Sequence, residues 1–246
     1  MHVSKIESLP ESIQLPTSKS IANRWLILQA LYPNQIQLNY NGSSDDIEVL
    51  KSAFTSKDKT IDVGHAGTAM RFLTAYLSQQ EGEEFVLTGS ERMKKRPIEP
   101  LVSVLRQLGA SIECLGKEGF PPLKITGQKL QSKPIEIDGS ISSQYITALL
   151  LVGSKIEGGL KLFLKRHIVS KSYIDLTVSV LKEAGLDVTF QDNEIAVTPC
   201  EALPENKNIT VEADWSAASF WYSWVALRPG SVLNLVGLNL DSAQGD

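Results

Sequence analysis

The chain has 246 residues, with 24 Lys and Arg against 28 Asp and Glu and a formal net charge of −4. That length predicts one large domain or two modest ones, able to bury about 70–75% of the unfolded surface without a disulfide or metal staple. Hydrophobic content of 42% and charged content of 21% exclude a largely disordered chain, and the mild acidity excludes the global basic field of a nucleic-acid binder.

Cys114 and Cys200 are the only cysteines. With His2, His65 and His167 scattered, no metal-ligand spacing is present, so no metal site is expected. Met1 to Pro10 carries Lys5 and Glu7 and lacks the apolar core of a signal peptide. The strongest apolar run, Ala148 to Val152, is far short of the roughly 20 residues of a membrane span. A soluble, cytoplasmic chain is expected.

Helical and extended patterns alternate. Helices are expected at Ile21–Leu31, Thr68–Leu77, from Pro97 in a first turn to Leu108, and at Ser142–Val152, Tyr173–Ala184 and Ser216–Leu227. Strands are expected at Glu84–Leu87, Ser111–Leu115, Ile135–Ile137, Leu160–Phe163, Asp187–Phe190 and Ile195–Val197. Gly109 and Gly185 each follow a helix and supply the positive φ that stops it. Leu105-Arg-Gln-Leu-Gly-Ala-Ser-Ile112 matches Leu181-Lys-Glu-Ala-Gly-Leu-Asp-Val188 at an offset of 76 residues. A second element, an extended segment, a small-residue turn and a helix, recurs at Leu15–Arg24, Val63–Arg71, Ile137–Gln144 and Val211–Ala218. The pattern predicts duplicated mixed α/β units. The polar stretch Pro199–Asn208 is expected to be a boundary or an exposed loop. After it a further unit opens without completing, which suggests a truncated protein.

Five segments are suited to anions. In Leu15-Pro-Thr-Ser-Lys-Ser-Ile-Ala-Asn-Arg24, Ser18 or Thr17 can cap a helix whose opening carries Lys19 and Ser20, with Arg24 on the face of Ser20. Free N–H groups, the helix dipole and two cations converge there. Gly64-His-Ala-Gly-Thr-Ala-Met-Arg71 allows close backbone approach at Gly67, and Thr68 can donate a hydroxyl. Arg71 enters an apolar helix and can serve structure alone. The run Arg92 to Arg96 carries Arg92, Lys94, Lys95 and Arg96, a solvated loop or a clamp for phosphate or carboxylate. Ser142, Ser143 and Gln144 open a further helix with neutral donors, and Ser170-Lys-Ser-Tyr173 opens another. Turns of this kind gather at one edge of an α/β fold.

Read together, PTSKSIANR, GHAGTAMRFLTA, LTGSERMKKRPIEPLVSVLRQLGA, EGFPPLKI, IDGSISSQYITALL, SKSYIDLT and EADWSAASF resemble, in order from Pro16 to Phe220, the 5-enolpyruvylshikimate-3-phosphate synthase family, the 3-phosphoshikimate 1-carboxyvinyltransferases. The resemblance implies an inside-out α/β barrel of βαβαββ units in two domains, with the ligand cleft between them. Residues 13–212 would form the first domain, and residues 1–12 and 213–246 part of the second. Implied partners are phosphoenolpyruvate and shikimate 3-phosphate, with no cofactor, no membrane and a monomeric state. The carboxyvinyl group passes to the 5-hydroxyl of shikimate 3-phosphate through a tetrahedral intermediate that loses phosphate. By motif, Lys19 contacts phosphoenolpyruvate and is the catalytic candidate, and Ser20 and Arg24 hold shikimate 3-phosphate. Gly67 and Arg92 grip phosphoenolpyruvate, and Gln144 sits between the substrates. Ser142, Ser143 and Ser170 bind the shikimate phosphate, with Tyr173 beside the ring. The proton-transferring carboxylates of the family belong to its second domain.

Three positions depart from the family pattern. His65 stands where Asn is usual, Ser172 interrupts the usual Ser-Lys-Pro-Tyr, and Trp215 replaces a small residue near the inferred hinge. Two rival readings remain open. One is a UDP-N-acetylglucosamine 1-carboxyvinyltransferase relative, which would use a loop cysteine, whereas Cys114 reads as packing within a strand. The other is a non-catalytic fragment that binds shikimate 3-phosphate.

Overall fold

The computed structural model describes residues 11–42 and 44–244, so the expectation for residues 1–12 falls largely outside the described residues. The described chain opens with β1 (Ser12–Gln14), α1 (Lys19–Leu31), β2 (Ile36–Asn39) and α2 (Asp45–Thr55). A βαβαββ unit follows: β3 (Thr60–Asp62), α3 (Gly67–Leu77), β4 (Glu84–Thr88), α4 (Glu99–Gln107), β5 (Ser111–Cys114) and β6 (Leu123–Thr126). The same order returns as β7 (Pro134–Asp138), α5 (Ser143–Val152), β8 (Leu160–Lys165), α6 (Lys171–Glu183), β9 (Val188–Gln191) and β10 (Glu194–Val197). β11 (Lys207–Thr210), α7 (Trp215–Ala226) and β12 (Asn234–Val236) complete the series.

The two sheets share one topology, β3-β4-β6-β5 and β7-β8-β10-β9. In each, the first pair is parallel and the other two are antiparallel. α4 and α6 also end identically. The N–H groups of Gly109 and Ala110 bond the carbonyls of Arg106 and Leu105, and those of Gly185 and Leu186 bond Lys182 and Leu181. Gly109 has φ 105° and Gly185 φ 89°, so both are Schellman stops in the left-handed region where glycine carries no Cβ penalty. The 76-residue repeat is therefore one of structure as well as of letters.

A third, split unit completes the pattern. β2 pairs in parallel with β11, Ile36 opposite Lys207, so α1, β2 and α2 take their neighbouring strand from late in the chain. Segment 199–206 accordingly leads into β11, which lies against the same body as the two full units.

The helices occupy the interior. Around the core, α1 packs on α2, α2 on α3, α3 on α4, α4 on α5, α5 on α6 and α6 on α1, while α1, α3 and α5 also touch one another. α5 is apolar all round, and every residue of it except Gln144 is buried, as expected of a helix enclosed on all sides. The strands outside alternate. In β8, Leu160, Leu162 and Leu164 are buried and Lys161, Phe163 and Lys165 face solvent, the pattern of a sheet covered on one face. The result is a barrel turned inside out, helices within and sheets without.

Several boundaries differ from the periodic reading. α4 starts at Glu99 with Pro100 in its first turn, leaving Pro97 outside. The Pro97 carbonyl accepts bonds from Tyr145 Oη and Arg71 Nη2, which keeps that residue out of helical pairing. α6 begins at Lys171, two residues early. α2 has no counterpart among the expected helices, although Asp45, Asp46 and Glu48 mark its first turn.

A second, small apolar cluster lies apart from the main core. Leu15, Ala213 and Ala218 are buried, with Ile13, Trp215, Trp221, Leu235 and Leu238 around them. There β1 pairs in parallel with β12. α7 buries only Ala218, and Phe220 and Leu227 are 78% and 83% exposed. No helix among the described residues is long and apolar enough to cross a membrane.

Candidate anion site at the helix N-termini

Four strand-to-helix connections have the same length. Residues 15–18, 63–66, 139–142 and 211–214 each span four positions between a strand and the helix that follows. Asp62 and Asp138, 76 residues apart, make the same turn, each carboxylate accepting the N–H two residues on, from Gly64 at 2.8 Å and Ser140 at 2.9 Å.

Three of the helices that follow run parallel. At their C-terminal ends Tyr32 Oη donates to Ser154 Oγ at 2.7 Å and Gln79 Nε2 to the Val152 carbonyl at 3.1 Å, tying α1 and α3 to α5. At the other end Gln144 Nε2 reaches Thr68 Oγ1 at 3.5 Å, joining the first turns of α5 and α3. The first turns and positive dipole ends of α1, α3 and α5 therefore lie at the same end of the bundle, an arrangement suited to oxyanions. Lys19, Gly67 and Ser143 are the first residues of those three helices.

At α1, Ser18 is the N-cap and its hydroxyl accepts the Ile21 N–H. The Lys19 N–H donates to Asp214 Oδ2 at 3.2 Å. Its ammonium lies 3.7 Å from Asp46, with 46% of the side chain exposed. Asp214 also accepts the Ser216 N–H at 2.8 Å through Oδ1, so a single carboxylate caps both α1 and α7. The adjoining backbone is paired too: the Ser18 N–H donates to Glu212 and the Asp214 N–H to Pro16. Ser20 is half-buried in the same turn.

Arg24 is fully buried. Nε donates to Thr177 Oγ1 at 2.9 Å, Nη2 to the Tyr173 carbonyl at 3.0 Å and Nη1 to the Ser20 carbonyl. The guanidinium also lies 4.2 Å from the Tyr173 ring centroid, and burial lowers its pKa. Three of the five N–H groups of the fork are thus committed within the protein. Arg24 ties Ser20 to Tyr173 and presents no exposed surface.

At α3, Gly67 leaves its backbone bare. His65, Arg92, Met93 and Arg96 line an adjoining cleft of about 210 Å³, and His65 Nδ1 lies 2.9 Å from Ser90 Oγ. Arg92 and Arg96 flank a 3-10 turn, Met93–Lys95, whose Met93 is buried. Behind them Arg71 is 3% exposed, with Nη1 on the Gly67 carbonyl at 3.0 Å. Burial, together with the nearby charge of Arg96, lowers the Arg71 pKa, opposed by the Tyr145 ring. At α5, Ser142 is the exposed N-cap, Ser143 is buried and Gln144 is half-buried. Ser170 precedes α6 at φ 54°, and Tyr173 stands half-buried one turn in. Cys114 is half-buried in β5 against the main core, with its sulfur accepting the Gly119 N–H at 3.3 Å.

Neither Asp46 nor Asp214 carries a part in the sequence motifs, and Arg96 enters them only as one charge of the run from Arg92, a solvated loop or an anion clamp. The acid-rich start of α2 was the available signal for Asp46. Asp214 sits in a repeated turn, but its bond to Lys19 joins residues 195 apart in the chain.

The EPSP synthase (3-phosphoshikimate 1-carboxyvinyltransferase) family model matches residues 36–246. The chain belongs to the EPSP synthase family. A 3-phosphoshikimate 1-carboxyvinyltransferase of Bacteroides fragilis is 48% identical over 96% of this chain and 57% of its own length. One from Vibrio atlanticus is 38% identical over 98% of this chain and 62% of its own. The EPSP synthase of Acinetobacter baumannii has a similar fold, with a TM-score of 0.77 at 24% identity over 94% of this chain and 56% of that one. The chain thus spans somewhat more than half the length of these EPSP synthase relatives.

Proposed function

We propose that this chain supplies one wall of an EPSP synthase active site, at which the carboxyvinyl group of phosphoenolpyruvate passes to the 5-hydroxyl of shikimate 3-phosphate and phosphate is released. The observation that carries the reading is the gathering of three parallel helix N-termini, each opened by a family motif: Lys19–Ser20, Gly67–Thr68 and Ser143–Gln144. Both substrates are anionic, and bringing them together sets their charges against each other. Convergent cations and helix dipoles offset that repulsion and hold the reacting atoms in place.

In this reading Lys19, Gly67 and Arg92 hold phosphoenolpyruvate, and Gln144 lies between the two substrates. Ser20, Ser142, Ser143, Ser170 and Tyr173 surround shikimate 3-phosphate. Arg24 acts on that ligand through Ser20 and Tyr173, which it fixes. Residues 13–212 constitute the first domain, and residues 1–12 and 213–246, with α7 and β12, belong to a second. The protein works as a cytoplasmic monomer, without a cofactor, metal, membrane or nucleic-acid partner.

The serines at α5 give the test. Ser142→Ala with Ser143→Ala is expected to weaken shikimate 3-phosphate at least tenfold while leaving shikimate within about twofold, because a hydrogen bond to a charged group contributes about 1.5–3 kcal/mol. Calorimetric titration of both ligands measures the ratio. Equal losses would leave the serines as helix caps and remove the phosphate from this end of the bundle.

A further inference from the structure

The guanidinium of Arg96 lies against Gly67. A methyl group built on Gly67 would meet Arg96 Nη1 at 2.4 Å and Cζ at 3.1 Å, so the guanidinium would have to move aside. The space a side chain would fill at the first residue of α3 is therefore occupied by the arginine. Arg96 reaches it from the 3-10 turn held down by buried Met93. That turn in turn sits close because Gly89 is bare, a Cβ there falling 2.8 Å from Met93 Cγ.

Positive charge gathers here, with Arg92 and Arg96 both exposed to solvent. The positive end of the α3 dipole, Arg71 behind it and Arg92 across the cleft all share the sign of Arg96. Among the described residues neither Arg92 nor Arg96 takes part in an ion pair. The neighbouring Lys94 is matched by Glu91 at 2.8 Å. The arrangement lacks a negative charge.

We propose that Arg96 is an anion-binding residue of this site, laid over the bare backbone of Gly67 so that Arg92 and Arg96 together close a two-guanidinium cradle on the first turn of α3. The proposal rests on the phosphoenolpyruvate reading above and adds a residue to it. Two planar forks can each engage two oxygens, so the cradle suits a ligand with more than one anionic group. It also gives a reason for glycine at 67: a side chain there displaces the arginine as well as any ligand.

The test follows the Gly67 and Thr68 amide resonances during titration with phosphoenolpyruvate at a fixed concentration of shikimate 3-phosphate. The same spectra show whether each variant is folded. Arg96→Gln is expected to weaken binding about tenfold or more, and Arg96→Lys to restore only part of it, since an ammonium lacks the fork. Gly67→Ala is expected to weaken binding more in the parent than in the Arg96→Gln background, where the arginine it displaces is already gone and only its direct clash with the ligand remains. Arg96→Gln within twofold of the parent, beside a large loss for Arg92→Gln, would overturn the role of Arg96 and leave the phosphoenolpyruvate reading standing. No saturable shift of either amide in the parent would overturn both.

Discussion

Arg24→Ala is expected to lower the unfolding free energy by about 3–5 kcal/mol, the largest single-residue effect anticipated in this chain. The change empties a fully buried site in the middle of the helical core, and large-to-small core substitutions alone cost about 2–5 kcal/mol. It also strips hydrogen-bond donors from the Ser20 and Tyr173 carbonyls and from Thr177 Oγ1, and an unsatisfied buried acceptor costs about 1–3 kcal/mol. Thr177 keeps Thr147 at 3.0 Å and its bond to the Tyr173 carbonyl, so the total stays within the stated range. Arg24→Lys retains a charge but not the three-way fork, and a smaller loss in the same direction is expected. Denaturant unfolding of the three proteins measures both. A loss under 1 kcal/mol for the alanine variant would mean that this buried guanidinium does not organise α1, α5 and α6.

Lys19→Met is expected to do the opposite, destroying ligand affinity while leaving stability nearly untouched. Lys19 is the first residue of α1, and its side chain is 46% exposed beside Asp46. An exposed pair of that kind contributes little to folding. The backbone N–H that Asp214 caps is unaffected by the substitution. What is lost is a cation at a helix N-terminus facing an anion, and phosphoenolpyruvate affinity should fall at least tenfold. In an EPSP synthase of its relatives' length carrying the same lysine, turnover should be abolished. Near-parental affinity in a folded Lys19→Met protein would remove Lys19 from the site.

Much of the architecture is legible in the sequence because it rests on local signals. Gly109 and Gly185 announce two helix stops, and the alternation of Leu160 to Lys165 announces a one-sided strand. The apolar run after Ser142 announces a helix enclosed on every side. What is not legible depends on pairings that no local period encodes. β2 and β11 find each other across the whole intervening body. Arg24 reads as a ligand cation beside Ser20, yet Tyr173 and Thr177, contributed by α6, enclose it. Arg96 reads as one charge in a run that is either a solvated loop or an anion clamp, and only the backbone turn brings it onto Gly67. Asp214 is visible only as part of a repeated turn, while one of its carboxylate oxygens holds the helix that carries Lys19. The site motifs are visible as letters; which of their side chains are enclosed among the helices and which are exposed is a property of the packing.

The N-termini of α1, α3 and α5 should act as one site for phosphorylated ligands. Amide chemical-shift mapping with shikimate 3-phosphate tests it most directly. Saturable shifts are predicted at Ser20, at Ser142 to Gln144 and at Tyr173, with α7 and the opposite end of the bundle around Gln79, Lys129 and Lys155 unmoved. Shifts confined to that opposite end, or the same pattern and affinity with unphosphorylated shikimate, would contradict the account.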